Sequence, residues 1–234
     1  MTDQIPSLGG TTIGPQLSRY AASIGNGRAA VEVGSWLGAG TIHIAQGIVA
    51  SGVHAPLHVY DRFRTTKAEV PKAAKFGVTL HPGQNTQPFV EKLIHPYGID
   101  THFHRGSILL ANWKGGPIGL YVDDAAKTKD LFLHIIHTFG PSWIPDETIL
   151  FLMDFEYWRT RTEPAEIAKY KYQKLFVDNY ADSFERIETE ETLDGTTAIF
   201  RYRNPLPFRD LEKSAIGLKT RLRKIRRLVF KSFG

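Results

Sequence analysis

The sequence contains no cysteine, so it can form no disulfide bond and cannot use a thiolate in catalysis. Such a composition fits a reducing compartment. No apolar run approaches the roughly 18 residues that a membrane-spanning helix needs. The first ten residues, MTDQIPSLGG, lack the basic region and the apolar stretch of a secretory signal. Together these absences predict a cytoplasmic protein.

Acidic residues are missing from the C-terminal stretch 213–234, which carries eight basic residues. Subtracting these eight from the net charge of +5 leaves −3 on residues 1–212. The basic character therefore belongs to the tail, and we expect no nucleic-acid binding by the body. Within 217–234, apolar residues recur at helical spacing opposite a basic face. This pattern predicts one of two arrangements. The helix either makes a peripheral contact with an anionic membrane or partner, or it docks on the body as a terminal helix.

The remaining sequence predicts a 1–208 domain in front of a 209–234 tail. Strand-like apolar runs alternate with helical patterns, and Asp194-Gly195 between two β-rich segments predicts a hairpin. The predicted strands before the hairpin are 30–33, 57–61, 101–106, 118–124 and 148–155. The predicted helices are 12–24, 41–50, 88–94, 128–139 and 164–178, with a further short one inside 62–85. We therefore expect an α/β, Rossmann-like, doubly wound and mostly parallel seven-stranded sheet with a C-terminal antiparallel β-hairpin.

Polar side chains and glycines follow the predicted strands. In open parallel sheets, ligands bind at the carboxyl ends of the strands. These ends hold Glu32 with Gly34, Asp61, Gly106 with Ser107, Asp123 with Asp124, and Asp154. The carboxyl edge of the sheet is thus the predicted site.

The glycine-rich turn VEVGSWLGAGT, residues 31–41, follows the first of these strands. A dinucleotide fingerprint, G-x-G-x-x-G, needs a third glycine where His43 stands after Gly38 and Gly40. A phosphate loop needs a lysine after the glycines, and none is present. Both phosphate-binding interpretations are weakened.

The turn instead reads E-x-G-x-x-x-G-x-G-T from Glu32 to Thr41. This resembles the first motif, (D/E)-x-G-x-x-x-G-x-(S/T), of the class I S-adenosylmethionine-dependent methyltransferases. The resemblance covers about residues 12–203. It is closest in detail to the small O-methyltransferases that include the macrocin-type sugar methyltransferases. Their stretch after the fourth strand, I-D-G-(D)-H-S-Y, corresponds here to 122–127, with Ala126 where the histidine is expected.

The resemblance implies S-adenosylmethionine as cofactor, which carries a sulfonium, an ammonium, a carboxylate and a ribose but no phosphate. Asp61 occupies the position of the ribose-binding acid. The residues implied in cofactor binding are Glu32, Gly34, Ser35, Gly38, Gly40, Thr41, Asp61, Gly106 and Ser107. The implied reaction is methyl transfer to oxygen on a sugar or another small hydroxylated acceptor.

The same resemblance implies a divalent metal, Mg²⁺ by its oxygen ligands, which would lower the pKa of the acceptor hydroxyl. Its implied ligands are Asp123, Asp154 and Glu156, and Asp124 could supply another. The family's acidic pair after the fifth strand is Met153-Asp154 here, so only its second member is present. The implied catalytic residues are Asp123, Asp124 and Lys127.

Structural interpretations of the same residues stay open on the sequence alone. The glycines could form a tight turn without a ligand, and Asp123 or Asp124 could cap the next helix. Lys127 could be an exposed helix lysine, and Tyr157-Trp158-Arg159 could cover the sheet rather than line an acceptor pocket. Two other functions are also open: a nicotinamide-dependent oxidoreductase, or an inactive methyltransferase-like module that binds a membrane or an anionic partner.

Overall fold

In the computed structural model, which describes residues 12–188 and 196–208, a seven-stranded sheet forms the centre of the chain. Its order is β3-β2-β1-β4-β5-β7-β6, with β1 to β5 parallel and β7 antiparallel to both β5 and β6. The strands are β1 (Ala29–Val33), β2 (Leu57–Asp61), β3 (Thr101–Arg105), β4 (Ile118–Asp123), β5 (Ile149–Leu152), β6 (Phe184–Arg186) and β7 (Ala198–Tyr202). This architecture confirms the predicted fold class.

Helices cover both faces of the sheet because alternate strand residues point to opposite sides. Val31 and Val33 pack in one buried apolar cluster with α5 and α7. Ala30 packs in the other, with α1, α2 and α4. The helices are α1 (Ile13–Ala21), α2 (Ala39–Ser51), α3 (Val70–Ala74), α4 (Gln87–Ile94), α5 (Lys129–Phe139), α6 (Pro164–Tyr170) and α7 (Tyr172–Asn179). Glu32 alternates with Val31 and Val33, which places its side chain on the α1–α2 face.

Two predicted elements differ from the structure. The strand predicted over 148–155 ends at Leu152, and Asp154 adopts the left-handed conformation with φ 59°. That conformation breaks the extended backbone and turns the chain away from the sheet. The helix predicted over 164–178 is two helices, since Lys171 has a ψ of −4° between α6 and α7. The other predicted boundaries agree within three residues.

The antiparallel pairing of β6 with β7 confirms the predicted hairpin strands, with Phe184 opposite Tyr202. The Asp194-Gly195 turn and the basic 209–234 tail lie outside the described residues. Among the helices that the structure describes, none combines the length and the apolar character needed to cross a bilayer.

Candidate active site at the carboxyl edge of the sheet

The chain reverses its direction of travel across the sheet between β1 and β4. After β1 it builds β2 and β3 on one side, and β4 and β5 then lie on the other. Such a switch point leaves a crevice beyond the carboxyl ends of the two central strands. The Asp124 N–H donates to the Val33 carbonyl at 2.8 Å, and the Gly34 N–H donates to the Tyr60 carbonyl at 2.8 Å. The ends of β1, β2 and β4 are therefore held side by side.

Two glycines of the turn are required by close approach. Gly34 has φ +94°, and a Cβ there would lie 2.9 Å from the carbonyl carbon of Asp124. A Cβ on Gly40 would lie 2.3 Å from Oε1 of Glu32. A side chain at Gly34 would push the turn away from the Asp124 backbone, whereas one at Gly40 would require the Glu32 carboxyl group to shift. The spacing of these glycines thus follows from two specific contacts across the crevice.

Glu32 lies beneath the turn and is only 2% exposed. Its Oε2 accepts a hydrogen bond from the Thr41 hydroxyl at 2.5 Å, and the Thr41 and Ser35 hydroxyl oxygens are 2.8 Å apart. Burial raises the pKa of Glu32 to about 8; the Thr41 bond opposes this rise, whereas nearby Asp61 and Asp124 add to it. The structure therefore brings Glu32, Ser35 and Thr41 together in one buried network that fixes the turn.

Asp61, at the end of β2, holds the outer side of the same turn. Its Oδ2 accepts from the Ser35 N–H at 2.9 Å and from the Trp36 N–H at 3.1 Å, and its Oδ1 accepts from the Phe63 N–H at 2.6 Å. Trp36 and Phe63 have φ values of 48° and 46°. Non-glycine residues in this region are strained and concentrate at functional sites. No local sequence signal marks the strain at Trp36, whose buried Nε1 has no hydrogen-bond partner within residues 12–188 and 196–208.

Gly106 and Ser107 lie at the end of β3, as predicted, and the Gly106 N–H donates to the Asp61 carbonyl at 2.9 Å. They line a cleft of about 330 Å³ together with Arg62, Arg64, Thr65 and Thr66. The two arginines were not among the predicted site residues, although they directly follow Asp61 in sequence. The cleft lies beyond the carboxyl ends of β2 and β3.

Asp123, the last residue of β4, is buried and shapes the turn that follows it. Its Oδ1 accepts from the backbone N–H groups of Ala125 at 3.0 Å and Ala126 at 2.9 Å, and its Oδ2 has no hydrogen-bond partner among the described residues. Burial raises the pKa of Asp123 to about 6, against the effect of these two hydrogen bonds. Asp123 therefore stabilises the turn before α5, and the prediction that Asp123 or Asp124 caps the next helix is wrong. The cap on α5 itself is the Thr128 hydroxyl, which accepts from the Leu131 N–H.

The Lys127 ammonium forms ion pairs with Asp124, at 2.9 Å, and with Asp154. Partial burial opposes the charge on Lys127, but the two carboxylates outweigh it and raise the pKa of the ammonium above its usual value. Burial raises the pKa of Asp124, and Lys127 counteracts that rise. Lys127 is consequently charged at neutral pH and is unsuited to act as a general base.

The predicted metal set of Asp123, Asp154 and Glu156 does not assemble. Glu156 is 6% exposed, and its carboxylate forms ion pairs with Arg159 and Arg186, each at 2.9 Å. Asp154 pairs with Lys127 instead. Residues 12–188 and 196–208 contain no group of three or more histidine, cysteine or acidic side chains arranged to hold a metal ion. The residues present therefore do not fit a divalent cation.

Several aromatic side chains near the sheet pack within the fold. His104 stacks on Tyr60 and on His58, with ring centroids 4.1 and 5.3 Å apart. Tyr157 follows β5 and its ring contacts that of Tyr170 at the end of α6. Tyr172, which the sequence analysis did not single out, donates a hydrogen bond to the Ala126 carbonyl beside Asp123. The break between α6 and α7 comes directly before Tyr172, and no local sequence signal marks it.

No family model and no curated protein matches this sequence. Solved structures do match. A candidate rRNA methylase from Clostridium thermocellum has a TM-score of 0.52 at 8% identity, over 84% of this chain and 98% of that chain. An rRNA methylase from Streptococcus thermophilus has a TM-score of 0.48 at 9% identity, over 85% of this chain and 100% of that chain. A Podospora anserina methyltransferase bound to S-adenosylhomocysteine has a TM-score of 0.48 at 11% identity, over 85% of this chain and 91% of that chain. At these identities the first similarity shows the fold alone, which is that of the class I S-adenosylmethionine-dependent methyltransferases.

Proposed function

We propose that the chain is an S-adenosylmethionine-dependent methyltransferase that methylates a hydroxyl group of a sugar or another small acceptor. The observation that carries the proposal is the glycine turn at the β1–β4 switch point, flanked by Glu32 beneath it and Asp61 beside it. The antiparallel β7 between β5 and β6 supports the same assignment, because it belongs to the methyltransferase fold.

The residues present fit the donor's chemical groups. Gly34 lets the turn pack directly on the backbone of Asp124, which places the main chain of the turn at the crevice beside the end of β4. The Nε1 of Trp36 is a buried donor in the same turn, and no acceptor for it lies within the described part of the chain. Asp61 accepts one N–H on Oδ1 and two on Oδ2, which leaves acceptor capacity on Oδ1 for a ribose hydroxyl. The cleft lined by Gly106 and Ser107 suits the adenosine end.

When bound, the donor supplies a sulfonium methyl group, which the acceptor oxygen attacks as the carbon–sulfur bond breaks and the hydroxyl proton leaves to solvent. The protein's part is to hold the two reactants in line, which can supply a large share of the acceleration. Asp124, Lys127 and Asp154 lie beyond the ends of β4 and β5, where they would meet the acceptor. The acceptor class rests on the sequence resemblance.

A calorimetric titration with S-adenosylhomocysteine tests the donor assignment, with NAD⁺ and NADP⁺ as the competing ligands. We expect saturable binding of one S-adenosylhomocysteine per chain and none of the nicotinamide cofactors. Saturation by NADP⁺ without binding of S-adenosylhomocysteine would make the chain an oxidoreductase. If none of the three ligands binds, the interpretation as an inactive methyltransferase-like module is favoured.

Labelled donor incubated with a cell extract tests the acceptor class. We expect the label in small hydroxylated molecules, and not in nucleic acid or protein. Label in ribosomal RNA would instead assign the acceptor that the names of two structural neighbours carry.

A further inference from the structure

The acids after β4 and β5 are bridged by a side chain of the protein itself. Lys127 directly precedes the Thr128 N-cap of α5, and its ammonium reaches Asp124 at the end of β4 and Asp154 just beyond β5. Asp154 is held with φ 59°, a conformation that costs energy for a non-glycine residue. The surrounding fold therefore holds Asp154 in this conformation, in which its carboxylate contacts the Lys127 ammonium.

We propose that the Lys127 ammonium takes the place of a divalent metal ion between Asp124 and Asp154 and binds the acceptor's oxygen directly, so that methyl transfer needs no metal. The inference rests on the proposed function, because it assigns the acceptor side of that same site. It makes Lys127 an acceptor-binding residue and Asp124 and Asp154 the residues that position it.

The hydrogen-bonding capacity of Lys127 supports this role. An ammonium has three N–H donors, and the described residues provide two acceptors, one oxygen each from Asp124 and Asp154. The side chain is 45% exposed, so the third donor can face a ligand. A fixed cation with one free donor can hold an acceptor hydroxyl and stabilise negative charge on its oxygen.

The neighbouring acids explain why a metal would compete poorly. Mg²⁺ requires near-octahedral coordination by oxygen at about 2.0–2.1 Å. Here Oδ1 of Asp123 already accepts two backbone N–H groups, and Glu156 is engaged by Arg159 and Arg186. Binding at Asp124 and Asp154 would also require expulsion of the ammonium, which repels a dication. The site is thus built around an organic cation.

Manganese binding followed by electron paramagnetic resonance provides the test, since Mn²⁺ takes the same oxygen ligands as Mg²⁺. We expect no saturable Mn²⁺ binding by the wild-type protein at low millimolar concentration. Lys127→Ala, which leaves two unpaired carboxylates, should gain a Mn²⁺ site, and the double variant Lys127→Ala with Asp154→Asn should lose it again. Lys129→Ala is the matched control: it removes an equal charge two residues away and should behave as wild type.

Two results would overturn the proposal: Mn²⁺ binding by the wild type that Asp154→Asn abolishes, or no gain of a site in a folded Lys127→Ala. If Lys127→Ala does not fold, the wild-type titration and the effect of EDTA on labelled transfer still decide, because a metal-dependent wild type refutes the proposal. Binding of S-adenosylhomocysteine is measured in the same samples. If the wild type does not bind S-adenosylhomocysteine but the variants show the expected Mn²⁺ binding, the proposed function is refuted. The pairing of Lys127 with Asp124 and Asp154 in place of a metal is then still supported.

Discussion

At the residue scale, the glycine turn depends on a carboxyl group that solvent does not reach. Glu32 lies under the first turn of α2, and its one strong partner is the Thr41 hydroxyl. With a pKa raised from 4.5 to about 8, the folded protein keeps this proton at pH values where the unfolded chain has released it. Stability therefore falls as the pH rises from about 4.5 to 8, since the folded state binds more protons in that window.

Glu32→Gln should remove this contribution, because glutamine keeps an acceptor for Thr41 and does not titrate. Relative to wild type, we expect the variant to gain stability progressively between pH 5 and 8. Urea unfolding at pH 5, 6.5 and 8 measures the difference, in which the other titrating groups cancel. Parallel stability profiles for the two proteins would contradict the assignment of a raised pKa to Glu32.

Asp61 orders the turn from the other side through three backbone N–H groups. In Asp61→Asn one of these N–H groups would face an amide NH₂, so a hydrogen bond to a charged acceptor is lost. Such a loss costs about 1.5–3 kcal/mol, which corresponds to roughly tenfold to a hundredfold in an equilibrium constant. We expect a drop of that size in S-adenosylhomocysteine affinity by calorimetry.

The control for Asp61→Asn is Asp178→Asn, which removes a charge from an exposed side chain on α7 that pairs with Lys174. Its donor affinity should equal that of wild type. Unchanged affinity in Asp61→Asn as well would show that this carboxylate serves neither the turn nor the ribose.

At the scale of elements, α1 packs against α2 through a glycine. A Cβ on Gly47 would lie 2.1 Å from the Ser18 carbonyl oxygen and 2.7 Å from the Cβ of Ala21. Leu17 of the same helix approaches the turn at Gly40, so this contact places α1 over the start of α2. A larger residue at position 47 would therefore push α1 away from α2. That shift would also move Leu17 away from the glycine turn.

Gly47→Ala sets two effects against each other. Alanine favours the helix by about 1 kcal/mol, whereas overpacking against backbone costs about 1–3 kcal/mol or more. Because the nearest clash is with a carbonyl oxygen, we expect the clash to dominate and the melting temperature to fall by a few degrees. Val49→Ala, at an exposed position of α2, should leave the melting temperature nearly unchanged. A more stable Gly47→Ala would show that α1 can shift away without loss.

The elements also show what a sequence can predict. The glycine turn, Asp61 and the alternating strands were predictable because their signals are local: spacing within a few residues and strand-length apolar runs. The end of β5 was not predictable, because Asp154 adopts a left-handed conformation. Aspartate tolerates that conformation, but its presence in a sequence does not predict it. The Lys127 bridge and the pairing of Glu156 with Arg186 depend on which strands become neighbours in the sheet. Residue types after β4 and β5 therefore suggested a metal, whereas tertiary contacts direct the same acids to lysine and arginine.

At the scale of the whole molecule, the charge is divided between residues 1–212, with net charge −3, and residues 213–234, with eight basic residues. The tail lies outside the described residues, so its membrane contact stays a prediction from the sequence. Each basic residue near an anionic bilayer surface contributes about 1 kcal/mol. Replacement of Arg223, Lys224, Arg226 and Arg227 by glutamate should therefore weaken vesicle binding by about 10³-fold or more.

Co-sedimentation with vesicles of anionic and of neutral lipid measures this effect. We expect the wild type to bind anionic vesicles only, with an affinity that falls as salt is added, because screening shortens the reach of the basic residues. The four-residue variant should stay in the supernatant while its affinity for S-adenosylhomocysteine equals that of wild type. If the wild type also stays in the supernatant at low salt, the alternative of a terminal helix docked on the acidic body is favoured. In that case the variant should instead lose thermal stability, because residues 213–234 would no longer carry the net positive charge that attracts the acidic body.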